Sequence, residues 1–227
     1  MNNDELVDSR IRQLASGFDE YLRTYDEVVP PAKSVHFSYH VEAIRTRRSL
    51  GSTAAAIDDE RFLGLVRETL LAWGVGVRGQ RLVSEDDFRR TFMDKRDEIA
   101  SLDGLCIDDP SLDLDMVVSQ VWKIVSGLKV VEDGPILAPC SKALHHLLPD
   151  LVAPIDRFHT RVFFQYRKNK FERDQRRFFE GAYRALARLA RETSPSRYVG
   201  DGWRTSRTKV LDNAIAAYCK VHQLWFY

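Results

Sequence analysis

The stretch PILAPCSKALHHLLPDLVAPIDRFHTR, residues 135–161, decides how the rest of this chain is interpreted. Its apolar spacing predicts a short helix over residues 141–148, and the prolines at 149 and 154 predict a turn after it. Asp156 follows that turn, at a place where an Asp side chain accepts a hydrogen bond from a free backbone N–H of a first helical turn. We therefore predict that Asp156 opens the next helix.

The same stretch resembles the end of the catalytic motif of the helix-hairpin-helix DNA glycosylases. The resemblance rests on Ser141-Lys142-Ala143, the proline-rich turn, Pro154-Ile155-Asp156 and Arg161-Val162, and it covers about one eighth of the 227 residues. In that superfamily a hairpin and a helix are followed by a loop, an Asp, and a helix that carries an Arg and a hydrophobic residue. The resemblance implies that Asp156 is a catalytic carboxylate and that the partner is double-stranded DNA with a flipped base.

The hairpin departs from the pattern of that superfamily. Its Pro-Gly-x-Gly core, whose backbone N–H groups bind a DNA phosphate, falls here on Pro135-Ile136-Leu137-Ala138. The proline is kept and both glycines are missing, and glycine is the residue that permits close backbone approach. Bifunctional members carry a Lys before the Ser/Thr-Ala pair, where this chain has Cys140. The resemblance therefore implies a monofunctional enzyme that leaves an abasic site.

Composition places the chain among ordinary globular proteins. Hydrophobic residues make up 44% and charged residues 30% of it, which is typical of a soluble domain. No apolar run approaches the roughly 20 residues that span a membrane, and the acidic N-terminus does not resemble a signal peptide. We expect a cytoplasmic monomer that contacts no membrane.

The three cysteines favour a protein without a cofactor. Cys106, Cys140 and Cys219 lie far apart in the sequence, which is typical of reduced thiols in a cytosolic protein. They are too few for the four thiolates of an ordinary iron–sulfur cluster. His36 and His40 share a helix face, but no paired motif supplies further metal ligands. We expect neither metal nor cofactor.

Charge is distributed unevenly along the chain. Residues 157–209 hold 15 Lys and Arg against 5 Asp and Glu, while residues 1–156 hold 18 against 27. A concentrated basic segment attracts phosphates, although a solvated helix face is the ordinary alternative. The cations that we predict to contact DNA are Arg78, Lys142, Arg157, Arg161, Arg167, Lys168 and Lys170.

Apolar residues recur at helical spacing along the whole chain, and no segment alternates as a strand would. We predict an all-α fold, a single multi-helix domain over residues 1–227, with possible halves 1–130 and 131–227 around a groove. Residues 51–57 are small and predict a linker. The predicted helices cover residues 4–28, 33–48, 58–73, 84–102, 112–128 and 157–168, a long basic amphipathic segment from about 170, and 207–227.

Three aromatic or imidazole side chains are candidates for a base pocket. Tyr39 and His40 lie in the aromatic helix 33–48, and Trp73 precedes the glycine-rich segment GVGVRGQ, residues 74–80. A flipped nucleotide is held between aromatic rings and recognised through its polar edge. The alternatives are core packing for the rings and a plain helix end and turn for the glycines.

These observations lead to a DNA N-glycosylase as the first functional hypothesis. Its target base cannot be derived from residue types, but a modified base, such as hypermodified cytosine in phage DNA, would suit a diverged defence protein. The second hypothesis is a non-catalytic DNA-binding subunit of a defence or repair complex, in which Asp156 is only a helix cap. A third is a hydrolase or nuclease of another type, in which the acidic pairs Asp58-Asp59, Asp86-Asp87 and Asp108-Asp109 are metal ligands; the alternative for these pairs is helix starts and turns.

Overall fold

The computed structural model describes residues 3–29, 35–76 and 80–224. Within these residues the chain is all-α, as predicted, and no β-strand occurs, although Leu82 and Val131 form one isolated antiparallel bridge. No helix among the described residues has the length and apolar character needed to cross a membrane. The helices are α1 Asn3–Ser16, α2 Phe18–Val28, α3 Val35–Ser49, α4 Thr53–Asp58, α5 Glu60–Ala72, α6 Glu85–Asp94, α7 Arg96–Ala100, α8 Leu114–Gly127, α9 Leu137–Leu147, α10 His159–Phe163, α11 Lys168–Arg173, α12 Gln175–Thr193 and α13 Arg207–Val221.

Helix α9 lies at the centre of the domain. It packs against α3, α4, α5 and α8, and nearly all of its side chains are buried, as expected of a helix that is apolar on most sides. Both of its ends are satisfied by side chains from distant helices, because a buried helix terminus needs partners for its free backbone groups. Leu137 N–H donates to Gln175 Oε1 (2.8 Å), and Arg47 Nε donates to the Leu147 carbonyl (2.8 Å).

The two ends of the chain pack together. Helices α1 and α2 contact α12 and α13, while α3 to α9 contact mainly one another, and α8 with α12 joins the two groups. The buried apolar side chains form one continuous core. The helices therefore group as a single domain, and the packing groups do not follow the sequence halves 1–130 and 131–227.

Several predicted helices are interrupted by short breaks. The helix predicted over 4–28 divides at Gly17, and the long basic segment divides at Asp174 into α11 and α12. The predicted linker 51–57 was wrong, because the Ser52 side chain accepts from Ala55 N–H and caps α4. Ser84 caps α6 by accepting from Asp87 N–H (3.1 Å), which confirms the helix start predicted there.

Candidate active site

The loop between α9 and α10, residues 148–158, is fixed by hydrogen bonds from three helices. Tyr183 Oη of α12 donates to the Leu151 carbonyl (2.9 Å), and Thr208 Oγ1 of α13 donates to the Pro149 carbonyl (2.7 Å). Ile155 N–H donates to Ser141 Oγ of α9 (3.1 Å). A loop held by side chains of rigid helices presents its functional groups with little freedom. Asp156 therefore has a defined position.

Asp156 lies in the turn before α10, which begins at His159 with Phe158 as its N-cap residue, two residues later than the sequence predicts. Its Oδ1 accepts from the backbone N–H groups of Phe158 (2.5 Å) and His159 (2.8 Å), at the turn that leads into α10. Asp156 N–H in turn donates to Thr160 Oγ1 (3.0 Å), so that side chains satisfy donors in both directions. One carboxylate oxygen is thus used by the cap, while the other faces Lys142, whose Nζ lies 3.5 Å from Oδ2.

The surroundings of Asp156 favour its ionised form. Burial acts to raise the pKa of the carboxyl group, but the Lys142 ammonium, the His159 ring and the two capping N–H groups outweigh it, and the net pKa is lowered. Opposite charges and hydrogen bonds to a carboxylate stabilise its charged form. Because the Asp156 side chain keeps one fifth of its surface exposed, the site combines a fixed negative charge with access from outside.

Asp156, Lys142, Trp73 and Gly74 lie in the wall between two cavities. The larger cavity has a volume of about 520 Å³ and the smaller about 270 Å³. The larger one is formed by α2 and α13 on one side and by the end of α5 and α9 on the other. It therefore lies where the two groups of helices meet, and its volume is in the range that proteins use for small-molecule ligands.

The larger cavity is lined by aromatic rings and paired charges. Tyr25 and Trp203 line it beside Trp73. Lys209 Nζ donates to Asp212 Oδ2 (2.7 Å) and lies 5.4 Å from the Tyr25 ring and 5.3 Å from the Trp203 ring. Burial acts to lower the pKa of Lys209, but Asp212 and Tyr25 reverse this and raise it, so the ammonium stays charged in the cavity wall.

Sequence reasoning missed Tyr25, His159, Trp203 and Lys209. Tyr25 lies within the predicted helix 4–28, and Trp203 lies just before the predicted helix 207–227, so neither stands out in the sequence. No local pattern marks a buried lysine such as Lys209. The signal that could have identified these residues is the proximity of aromatic rings to cations from distant segments. A single sequence does not show which residues are close in space.

A buried cluster of three histidines supports the cavity from behind Trp73. His146 Nδ1 faces the Lys142 carbonyl (2.8 Å), and because a carbonyl only accepts, this nitrogen carries the hydrogen. His146 Nε2 must then accept from His40 Nδ1 (3.1 Å), and His40 Nε2 accepts from Thr205 Oγ1 (2.7 Å). His40 also stacks on His145, with ring centroids 5.7 Å apart. The hydrogen bonds thus fix the imidazole rings of His146 and His40 each as one neutral tautomer.

The three predicted pocket residues have different positions. Trp73 lines both cavities. His40 is fully buried behind it, with ring centroids 5.1 Å apart, so His40 supports the wall and does not line it. Tyr39 is half-buried and is not among the residues that line either cavity. The structure brings one of the three to the cavity.

The predicted DNA-contacting cations also divide into groups. Lys142 is only 13% exposed and lies at the site itself, and Arg157 lines the smaller cavity. The Arg161 guanidinium donates to the carbonyls of Arg157 (2.7 Å) and Tyr166 (2.7 Å), which holds the loop after α10. Arg78 lies outside the described residues.

Only part of the basic segment is available to a polyanion. Arg167, Lys168 and Lys170 are exposed, and within the described chain they form no ion pair with a carboxylate. Several arginines further along are instead paired with acidic residues of distant segments. These pairs are Arg184 with Asp115 (2.6 Å), Arg188 with Asp8 (2.5 Å), Arg204 with Asp26 and Arg207 with Asp108 (2.5 Å). These four arginines are therefore compensated by acidic residues outside the basic segment.

The acidic pairs have structural partners. Asp58 pairs with Arg96 (2.6 Å), Asp59 caps α5, and Asp87 accepts from Arg90 (2.9 Å). Across residues 3–29, 35–76 and 80–224, no group of three or more His, Cys, Asp or Glu side chains is arranged to hold a metal ion. Cys140 and Cys219 are buried, and burial raises the pKa of each thiol to about 12.

Comparison of the chain with protein-family models, with curated proteins and with solved structures finds no match in any of the three. The family suggested by residues 135–161 therefore stays a hypothesis. The geometry around Asp156 is the basis on which a function can be proposed.

Proposed function

We propose that the protein is a monofunctional DNA N-glycosylase, which rotates a base out of duplex DNA into the larger cavity and hydrolyses its N-glycosidic bond. The observation that carries this proposal is the position of Asp156. An ionised, partly exposed carboxylate lies in the wall of an aromatic-lined cavity of about 520 Å³. Positive charge that develops next to that cavity would be stabilised by a charge already in place.

The proposed reaction needs only water. As the bond between C1′ of the sugar and the base nitrogen breaks, its electron pair leaves with the base, and the sugar becomes oxocarbenium-like. The Asp156 carboxylate stabilises that cation and orients a water molecule, whose oxygen bonds to C1′. One water proton stays on the new C1′ hydroxyl, and the other passes to the departing base, directly or through solvent. The products are a free base and an abasic site in an unbroken DNA strand.

The cavity also supports a substrate class. A volume of about 520 Å³ is larger than one pyrimidine ring requires, since proteins use 300–1,000 Å³ for drug-sized ligands. Asp212 and Lys220 line the cavity along with the aromatic rings, so polar groups are available to a substituent on the base. A bulky modified base, such as the hypermodified cytosine of phage DNA, fits this description. In this proposal the protein is a cytoplasmic defence enzyme that acts as a monomer without a cofactor.

Arg167, Lys168 and Lys170 would hold the DNA backbone in this proposal. They are exposed on α11 and the residue before it, a few residues beyond α10. Phosphate contacts position a protein on a duplex and carry no sequence information. Base choice would then depend on the cavity.

An abasic-site assay tests the proposal. Purified protein is incubated, in the presence of a chelator, with ordinary genomic DNA and with phage DNA that carries modified bases, and an aldehyde-reactive probe reports new abasic sites. Asp156→Asn is the decisive variant, because Asn can still accept both capping hydrogen bonds but carries no charge. Asp113→Asn, a change in the cap of α8, is the matched control.

A non-catalytic DNA-binding subunit of a defence or repair complex is the second candidate. It is favoured by one observation, that the two backbone hydrogen bonds in the turn before α10 are sufficient to explain the position of Asp156. Abasic sites made by the wild type and by Asp113→Asn, but not by Asp156→Asn, would establish the glycosylase. DNA binding without abasic sites on any DNA would favour the second candidate.

A further inference from the structure

An exposed aromatic ring lies next to the proposed catalytic carboxylate. Phe158 is 45% exposed, two residues after Asp156. Among the described residues, the other large apolar side chains with comparable exposure are aliphatic: Val28, Val35, Met93, Met116 and Val221. Single exposed apolar side chains are common on protein surfaces, so the position of Phe158 is what distinguishes it.

The bonds that fix Asp156 also fix Phe158. The Phe158 backbone N–H donates to Asp156 Oδ1 (2.5 Å), and the Phe158 side chain lines the smaller cavity together with Asp156 and Lys142. The Arg157 guanidinium carbon lies 5.6 Å from the centre of the Phe158 ring. The Phe158 backbone is therefore held beside the carboxylate, and a cation lies at the side of the Phe158 ring.

A flipped base leaves a gap in the base stack, and the cost of flipping includes the disrupted stacking. Proteins that open base steps insert apolar side chains such as Phe, Leu, Ile or Met between the bases. The side chain that fills the gap must lie close to the catalytic group, because the flipped nucleotide remains attached to the strand beside the gap. Phe158 meets this requirement through its capping bond to Asp156.

We propose that Phe158 enters the DNA stack at the place that the flipped base leaves, while Arg157 contacts a phosphate beside it. This inference rests on the proposed function, because it requires that a base is flipped from duplex DNA. Phe158 is then a positioning residue, which keeps the target nucleotide in the larger cavity and takes no part in bond breaking.

Fluorescence of 2-aminopurine tests the insertion separately from catalysis. The probe is a duplex with an abasic-site analogue and 2-aminopurine as the adjacent base, whose emission changes when its stacking is altered. Asp156→Asn provides the inactive background, and binding is measured on the same duplex by anisotropy. Phe158→Ala is the test variant and Phe158→Leu the rescue. Met116→Ala, at a residue of similar exposure on α8, is the control.

We expect the 2-aminopurine emission to change when the duplex binds the Asp156→Asn protein. The same change is expected with the double variant that carries Asp156→Asn and Met116→Ala. Adding Phe158→Ala should abolish that change and weaken binding by about tenfold, the effect expected for removing one stacking interaction. Phe158→Leu should restore much of it, because a wedge needs apolar volume. An unchanged emission with Phe158→Ala would overturn the inference but not the glycosylase. Failure of every protein to bind the duplex would overturn both.

Discussion

The ammonium of Lys142 lies 3.5 Å from Oδ2 of Asp156 and 5.9 Å from the centre of the Trp73 ring. This relationship connects the central helix α9 with the loop that precedes α10 and with the wall of the larger cavity. It gives Lys142 a different role from the surface phosphate contact that the sequence suggested. Its proximity is one of the causes that lower the pKa of Asp156.

Replacing Lys142 with Met should therefore change the pH dependence of base removal. Without the ammonium the pKa of Asp156 rises, and the acidic limb of the pH profile of kcat/KM moves up by about one pH unit. At pH values well above that limb, kcat/KM should change less, because Asp156 is ionised there in both proteins. Lys123→Met, at an exposed lysine on α8, should leave the profile unchanged. An identical profile for Lys142→Met would contradict this role.

The cap formed by Asp156 can be separated from its charge by measuring stability. Asp156→Ala removes both capping hydrogen bonds and should lower the free energy of unfolding by about 1 kcal/mol. Asp156→Asn should cost much less, since its amide oxygen still accepts from Phe158 and His159. Urea denaturation at neutral pH measures both. If Asp156→Asn were as destabilised as Asp156→Ala, its loss of activity could not be attributed to charge.

Acid should destabilise the buried histidine cluster. Burial lowers the pKa of His146 to about 4 and places the pKa values of His40 and His145 well below the ordinary value. Below about pH 6.5 the unfolded chain binds protons that the folded chain does not, so the free energy of unfolding falls as pH falls.

Urea titrations at pH 7 and pH 5 check this expectation. In His40→Gln the free energy of unfolding should fall less between pH 7 and pH 5 than in the wild type. The variant lacks one of the histidines that stay neutral in the folded protein. His36→Gln, at an exposed histidine of the same helix, is the control. Equal pH dependence in wild type and His40→Gln would show that the cluster is not the source.

Arg47 should contribute more to stability than its neighbour Arg45. The Arg47 side chain is 9% exposed, and its guanidinium donates to Asp103 Oδ1 (2.6 Å) and to the Leu147 carbonyl (2.8 Å). Removing one partner of a buried pair leaves the other uncompensated, so Arg47→Met should cost about 3 kcal/mol. Arg45→Met, at a residue that is 72% exposed and paired with Glu42, should cost under about 1 kcal/mol. Equal losses in thermal or urea unfolding would contradict this difference.

Salt dependence should separate the exposed cations from the paired ones. Replacing Arg167, Lys168 and Lys170 with Gln should weaken DNA binding and reduce the slope of log K against log salt by about 0.9 for each phosphate that is no longer neutralised. Arg184→Gln with Arg188→Gln is the matched control, because those arginines pair with Asp115 and Asp8. Anisotropy with a short duplex at several salt concentrations measures the slopes. A larger effect of the control would place the DNA on α12.

The sequence was sufficient for the helical class and for the backbone hydrogen bonds that Asp156 accepts just before a helix. Apolar spacing is a property of neighbouring residues, and so is a cap, which joins Asp156 to residues two and three positions later. The breaks at Gly17 and Asp174 were not predicted, because the apolar pattern continues across both. The helix α4 within the supposed linker was missed, since short runs of small residues carry little periodicity.

The charge pattern shows what the sequence could not decide. Counting placed 15 cations in residues 157–209, but only the fold pairs Arg188 with Asp8 and Arg207 with Asp108. Arg167, Lys168 and Lys170 are left exposed by the same packing. Local composition gives the number of charges, whereas their availability depends on residues far along the chain.

By itself, the sequence determined a helical chain with a carboxylate at residue 156 that accepts backbone hydrogen bonds just before a helix. Only the tertiary structure decided that this carboxylate lies in a cavity wall with Lys142 and Trp73, that Tyr25 and Trp203 face the same space, and that His40 is buried behind it. The reason is physical. Helix periodicity and capping depend on residues within a few positions, while a cavity and the pKa of a carboxyl group depend on whichever distant side chains the packing brings within a few ångströms.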